Sequence, residues 1–129
     1  MIQVNELRKG ILIHRNNEMH TVRGWYEDSD GIDIVITDKF NLGRRIEEFE
    51  EILLTHERLM QLGFHLSEYP LGYQLDYLKY MHIAEDNDGS YYLVSNNICV
   101  NKRIVNIHHL QNLFYDLTAE ELPIKTLNL

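Results

Sequence analysis

The sequence predicts an α+β fold: a small N-terminal β unit, a short helix, a second antiparallel β unit and a C-terminal amphipathic helix. Three observations predict it. Short apolar and polar runs, punctuated by Asn, Asp and Gly turns, fill residues 1–54 and 68–105. Thr55 and Asn106 stand as helix N-caps ahead of apolar residues at helical spacing. The 129 residues, 44% hydrophobic and 25% charged, have the size and composition of an ordinary globular domain. The expected organisation is a single domain over 1–129, with β-rich 1–54 followed by a helix over 55–63 and β-rich 68–105 followed by a helix over 106–118.

Ile11 to Arg15 and Met19 to Trp25 form two strands around Asn16-Asn17, a pair that tolerates positive φ in a hairpin turn. Asp28-Ser29-Asp30-Gly31 makes a second turn. Ile32, Ile34 and Ile36 alternate with Asp33 and Val35, which predicts a third strand whose isoleucine face is buried. Residues 44–54 fit helix and strand equally. Thr55 then caps a short helix, with Leu59 and Leu62 inward, Gly63 as the stop and Phe64 folding back on it. Gln74 to Ile83, Tyr91 to Ser95 and Ile98 to Val100 are strands, with turns at Glu85 to Gly89 and Asn96-Asn97, and Ile104-Val105 closes the sheet. After Asn106, Leu110, Leu113, Phe114 and Leu117 make one buried stripe beside polar Gln111, Asn112 and Asp116.

Several classes are excluded or disfavoured. No apolar run approaches the ~20 residues of a membrane span. The opening, Met1 to Gly10, has no secretory h-region. A net charge of −8 opposes non-specific duplex DNA binding, which runs on cationic contacts. The lone Cys99 permits no internal disulfide, and a reducing cytoplasm is the expected compartment. Eight tyrosines and exposed sheet edges predict a homo-oligomer.

Asn5-Glu6-Leu7-Arg8-Lys9-Gly10 followed by two strands resembles the opening hairpin of SH3-like barrels, including the first domain of elongation factor P. That resemblance implies an SH3-like N-terminal unit and no activity. A wider resemblance is to a family of small proteins of Bacteroides-group bacteria and their phages. It rests on the Asn-Glu-Leu-Arg opening, on Leu54-Thr55 to Gly63-Phe64, and on a C-terminal motif, His-x-Leu-Gln-Asn-Leu-Tyr-x-x-Leu-Thr-Gly-Glu-Glu-Leu. Here the motif is carried by His108 to Leu122. Arg58 stands where the family tends to have Trp, and Ala119 where it tends to have Gly. The resemblance implies a phage or mobile-element accessory protein and carries no chemistry with it.

Candidate chemistry is sparse. Seven histidines form no His-Glu-x-x-His motif and no Cys/His pair with zinc spacing, so neither a metal nor a cofactor is expected. His14 and His20 could face each other across the first hairpin, with His82 joining from another strand. His108 and His109 point about 100° apart on a helix, which argues against a shared partner. Asp28-x-Asp30-Gly31 and Asp86-x-Asp88-Gly89 resemble calcium-loop fragments but lack the terminal ligands, and turn chemistry accounts for them. There is no nucleophile elbow or phosphate-binding glycine loop, and no catalytic residue is assigned. Basic pairs with nearby aromatics are the best ligand candidates: Arg44, Arg45, Lys102 and Arg103 for phosphate, with Trp25, Tyr26, Tyr91 and Tyr92 as stacking partners. The expected function is a non-enzymatic binding protein of anti-defence type that sequesters a nucleotide signal or binds a host protein. The alternatives are an SH3-like RNA or single-strand module and a small nucleotide hydrolase.

Overall fold

The first hairpin forms where the paired asparagines predict it. Asn16 and Asn17 take φ of 52° and 61° and join β1 (Leu12–Arg15) to β2 (Glu18–Glu27). The computed structural model describes residues 1–68, 71–96, 98–124 and 127–129; the side chains of Leu71, Lys79, Asn101 and Lys102 are also outside that description. β3 (Asp33–Thr37) and the two-residue β4 (Arg44–Arg45) complete an antiparallel sheet in the order β1-β2-β3-β4. A 3-10 turn at Val4–Glu6 precedes it and another at Ile46–Glu48 follows. The region 44–54 is thus neither helix nor continuous strand: after the 3-10 turn, among the described residues, its backbone bridges the sheet at Glu50 and His14. This sheet is the SH3-like unit, and the fold is α+β.

The chain is organised as two compact units. Unit 1 comprises Met1–Leu53, Asn106–Leu122 and Leu129; unit 2 comprises Leu54–Val105 and Pro123–Asn128. Unit 1 is closed by α2 (Ile107–Thr118). Its sheet core is Ile2, Leu7, Ile11, Ile13, Val22, Val35 and Phe49, with Phe40 and Ile46 packed on it. In β3 the buried side chains are Val35 and Thr37, while Ile34 and Ile36 are only half-buried. The isoleucine face is therefore the outer one. Val35 and Thr37 take the core face, where the Thr37 hydroxyl meets buried His20.

His20 is fully buried among aromatics, stacked on Phe40 at 5.1 Å and edge-on to Phe49 at 5.3 Å between ring centroids. Its Nδ1 lies 2.9 Å from Thr37 Oγ1. That hydroxyl already accepts the backbone N–H groups of Lys39 and Phe40, both at 3.2 Å. With both lone pairs taken, the Thr37 O–H donates to Nδ1. The proton of His20 is then on Nε2, which faces Glu18 Oε1 at 3.4 Å. Burial, with the positive charge of Lys39, holds the imidazole below its ordinary pKa and keeps it neutral.

Unit 2 contains α1 (His56–Gln61) and an antiparallel sheet in the order β5-β6-β7-β8-β9. The strands are β5 (His65–Glu68), β6 (Leu71–Leu75), β7 (Leu78–Glu85), β8 (Tyr91–Ser95) and β9 (Ile98–Ile104). The apolar run Gln74 to Ile83 is thus two strands, turned at Asp76-Tyr77. Ile98 to Ile104 is one strand where the sequence suggests two pieces, and Asn97 of the predicted turn lies outside the described residues. At α1, Thr55 Oγ1 accepts the Arg58 N–H at 3.2 Å. Gly63, at φ 96°, ends the helix, and the Phe64 N–H returns to the Leu59 carbonyl at 3.1 Å. Phe64 and Leu59 are both buried, completing a Schellman closure as the Gly-Phe pair predicts.

At α2, Asn106 Oδ1 accepts the His109 N–H at 2.9 Å. Leu110, Leu113 and Phe114 are buried as expected, but Leu117 is 41% exposed, and the inner face is completed by Ile107, His108 and Gln111 instead. The helix ends on Ala119 in the left-handed conformation, φ 59°, whose N–H bonds the Tyr115 carbonyl at 2.8 Å. An L-residue with a Cβ is strained there.

Two outcomes follow from these local features. Ala119→Gly relieves the left-handed strain and raises stability by about 1 kcal/mol, read as a higher urea midpoint at an unchanged m value; an unchanged midpoint counts against a strained cap. Lowering the pH destabilises the protein through His20. Its folded pKa lies below its unfolded value of 6.5, so the unfolded chain takes up the proton first. Stability is then lost as the pH falls through 6.5 toward the folded pKa. His20→Asn, which keeps an acceptor for Thr37, flattens that acid limb in urea titrations from pH 7.5 to 5; an unchanged slope assigns the acid sensitivity to other groups.

Candidate functional site

The expected ligand residues fall into two groups, one in each unit. In unit 1, register places Trp25 opposite Val35 and Val35 opposite Arg44, so these three share one face of the sheet. Tyr26, Ile34 and Arg45 form the neighbouring row on the other face. Each row sets an aromatic two strand spacings, ~10 Å, from a guanidinium. Trp25 is 42% and Tyr26 47% exposed. Gly43 enforces the approach of β4. A Cβ there would lie 2.5 Å from Ile34 Cγ2 and 3.2 Å from the Val35 carbonyl, and φ is +87°.

The two arginines differ. Arg45 is engaged with Glu47 Oε1 at 3.4 Å, and its N–H bonds Glu48 Oε2 at 3.3 Å. The Arg44 guanidinium lies 4.7 Å above the Phe40 ring, and among the described residues it has no carboxylate within ion-pair distance. It is oriented by an aromatic face, with its N–H donors turned to no acid.

In unit 2, Tyr92 and Arg103 are cross-strand partners on β8 and β9. Tyr92 is half-buried and Arg103 exposed, within electrostatic reach of Asp88. Tyr91 is buried, with its ring edge-on to Tyr73 at 6.0 Å, and presents no open face for stacking. Tyr73 in turn meets His56 Nδ1 through its hydroxyl at 2.8 Å, and burial with the neighbouring Tyr91 pushes its phenol up to about 12. The side chain of Lys102 lies outside the described residues.

The structure assembles a third cluster that spacing did not suggest. His108 Nε2 lies 2.6 Å from Glu6 Oε2, and His109 Nε2 lies 3.5 Å from Glu6 Oε1. The adjacent histidines do share a partner, against the expectation from their 100° separation. Cα–Cβ bonds lean toward a helix N-terminus, so both rings reach over the same end of α2 to the Val4–Glu6 turn. Burial, though opposed by the Glu6 hydrogen bond, lowers the His108 pKa and keeps the ring neutral. Burial pushes the Glu6 carboxyl up, but the hydrogen bonds of His108 and His109, with the charge these rings carry once protonated in acid, outweigh it and hold it below the usual range. His108 therefore donates from Nε2 to an ionised carboxylate. The pair His14 and His20 does not meet: His20 pairs with Ile13, and His14 with Met19. His82 belongs to unit 2.

Glu6 is placed by a polar seam. Asn112 Nδ2 donates to the Glu6 carbonyl at 2.9 Å. Arg8 donates to Asn112 Oδ1 at 3.1 Å and to the Gln111 carbonyl at 3.2 Å, pairs with Glu121, and lies 4.4 Å over the Tyr115 ring. Gln111, expected on the polar face, is 1% exposed. Its Oε1 accepts the Leu12 N–H at 2.9 Å and its Nε2 donates to the Gly10 carbonyl at 3.1 Å. The acidic turns behave as turn chemistry requires: Asp28 Oδ1 accepts the N–H groups of Asp30 and Ile32, each at 2.9 Å. No helix of the described residues is long and apolar enough to cross a membrane.

No family model matches the chain, and neither a curated protein nor a solved structure matches it.

Gln111→Leu leaves a buried N–H and a carbonyl without partners. The expected loss is about 2–4 kcal/mol in chemical denaturation, since each orphaned group costs 1–3. A loss under about 0.5 kcal/mol, the range of ordinary surface changes, would mean that water replaces both bonds and that the seam is dispensable.

Proposed function

We propose that the chain is a non-enzymatic binding protein that sequesters a phosphorylated, nucleotide-like ligand on its SH3-like unit. The observation that carries this reading is Arg44: a guanidinium stacked on Phe40 without an acidic partner among the described residues, in register with exposed Trp25. Phosphate recognition needs an oriented fork of N–H donors, and a base needs an aromatic face. Arg44 and Trp25 stand at the two ends of a three-strand row whose middle residue, Val35, is buried in the core, so Arg44 is the anchor of this reading and Trp25 flanks it. The −8 net charge makes a long polyanion a poor partner and leaves a small anion held by local geometry as the better one. The resemblance of residues 108–122 to a phage-associated family supports an accessory, anti-defence context.

Calorimetric titration against mono-, di- and cyclic nucleotides tests this, with a short single-stranded oligonucleotide beside them. Arg44→Ala lowers nucleotide affinity at least tenfold, and Arg45→Ala less, because Glu47 already engages Arg45. The melting temperature stays nearly unchanged in both, as exposed charges contribute little to folding. Silence across the nucleotide panel overturns the reading. Tight, steeply salt-dependent binding of the oligonucleotide alone would replace it with a single-strand module.

A further inference from the structure

Glu6, His108 and His109 bring three potential ligand atoms within 4.8 Å of one another inside unit 1. Two imidazole nitrogens and a carboxylate oxygen are the donor set of three-ligand zinc sites, which leave a further position open to water. The cluster is graded from inside to outside. The His108 side chain is fully buried, while those of Glu6 and His109 are 25% and 31% exposed. An ion can enter from the Glu6–His109 side, and that is where water would complete its coordination. The rings of His108 and His109 are 4.8 Å apart and inclined at 70°, which lets each present a nitrogen to a common point without stacking.

We propose that Glu6, His108 and His109 bind one zinc ion, with solvent filling the outer position. Binding replaces the proton on His108 Nε2. The nitrogen and Glu6 Oε2, now 2.6 Å apart, separate slightly to admit the metal. A half-exposed carboxylate and a first-turn histidine can make that adjustment. Asn112, bonded to the Glu6 backbone, keeps the carboxylate facing α2 meanwhile. The outer shell is incomplete: His108 Nδ1 is buried without a hydrogen-bond partner. A metal-bound ring carries its proton on Nδ1, so the site is weaker, by about 10–100-fold, than one whose histidines have outer acceptors.

The test uses Zn2+ alone, then Co2+ as a spectroscopic substitute, on the full-length chain. Zn2+ titration is expected to show one equivalent bound with release of protons and a raised melting temperature. Co2+ is expected to give visible ligand-field bands that Zn2+ quenches. His109→Ala, at a half-exposed position, leaves the fold intact and weakens Zn2+ binding at least tenfold. Glu6→Gln keeps a hydrogen-bond acceptor for His108 and weakens it similarly. His65→Ala, in unit 2, changes nothing and controls for adventitious histidine binding. No bound Zn2+ at tens of micromolar, or binding that survives both His109→Ala and Glu6→Gln, overturns the proposal and leaves the three residues as a hydrogen-bonded clasp.

Discussion

Unit 1 depends on the polar seam that ties residues 6–12 to α2. The two partners are about a hundred residues apart in sequence: 99 separate Leu12 from Gln111, and 106 separate Glu6 from Asn112. The entropy of closing so long a loop grows only as its logarithm, so distance in sequence is not prohibitive. What matters is that the bonds formed are shielded. Gln111 satisfies a buried N–H with one atom of its amide and a carbonyl with the other. A primary amide carries a donor and an acceptor on separate atoms of one planar group, which lets it span the two. Leaving either group unpaired would cost more than forming the bond gains, so the seam acts mainly by excluding other placements of the helix. Arg8 adds direction: it reaches the Asn112 side chain, the Gln111 carbonyl, Glu121 and the Tyr115 ring together.

The same seam explains the order of the chain. Unit 1 is made chiefly from Met1–Leu53 and Asn106–Leu122, and the main segment of unit 2, Leu54–Val105, is inserted between them. The segments of unit 1 meet where Leu53 bridges Asn106 and the Ile107 N–H bonds the Ile52 carbonyl at 2.8 Å. Within unit 2, the Leu54 N–H bonds the Val105 carbonyl at 3.0 Å, so the ends of the insertion are themselves paired. An insertion whose ends meet places little strain on its host. Each helix therefore belongs with strands other than those before it: α1 lies in the unit of the strands that follow, and α2 in the unit that opens the chain.

What could be read from the sequence was whatever is decided within a few residues. Asn16-Asn17, the Asp28 turn, the Thr55 and Asn106 caps and the Gly63-Phe64 closure all depend on local backbone chemistry, and all form. Arg44, Arg45, Trp25 and Tyr26 could be singled out by type, though not their register, which β3 sets from between them. The inner face of β3 was misread because isoleucine outranks threonine in hydrophobicity. Thr37 lies inward with its hydroxyl satisfied by His20 and by the N–H groups of Lys39 and Phe40. Gln111 and His108 were unreadable for the same reason. A buried polar side chain declares itself through a partner, and here the partners lie at the far end of the chain. Leu117 is the converse: its spacing is helical, but buried Gln111 and His108 rotate the inner face away from it.

Net charge and local charge lead to opposite expectations for this molecule, and geometry decides between them. A −8 chain repels anions at long range, but at physiological ionic strength that field decays over about 8 Å. Within that distance the immediate neighbours dominate. Arg45 has Glu47 beside it and Arg15 has Glu48 at 3.2 Å, so the acidic run neutralises the cations nearest to it. Arg44 escapes because Gly43 draws β4 against β3 and because Phe40 supplies a ring for the guanidinium to lie on. Stacking fixes the plane of the fork while leaving its edge N–H groups available. A cation restrained this way loses less freedom on meeting a phosphate than a solvated lysine would. On the proposed reading, the acidic composition discourages extended polyanions and leaves Arg44 to small anions.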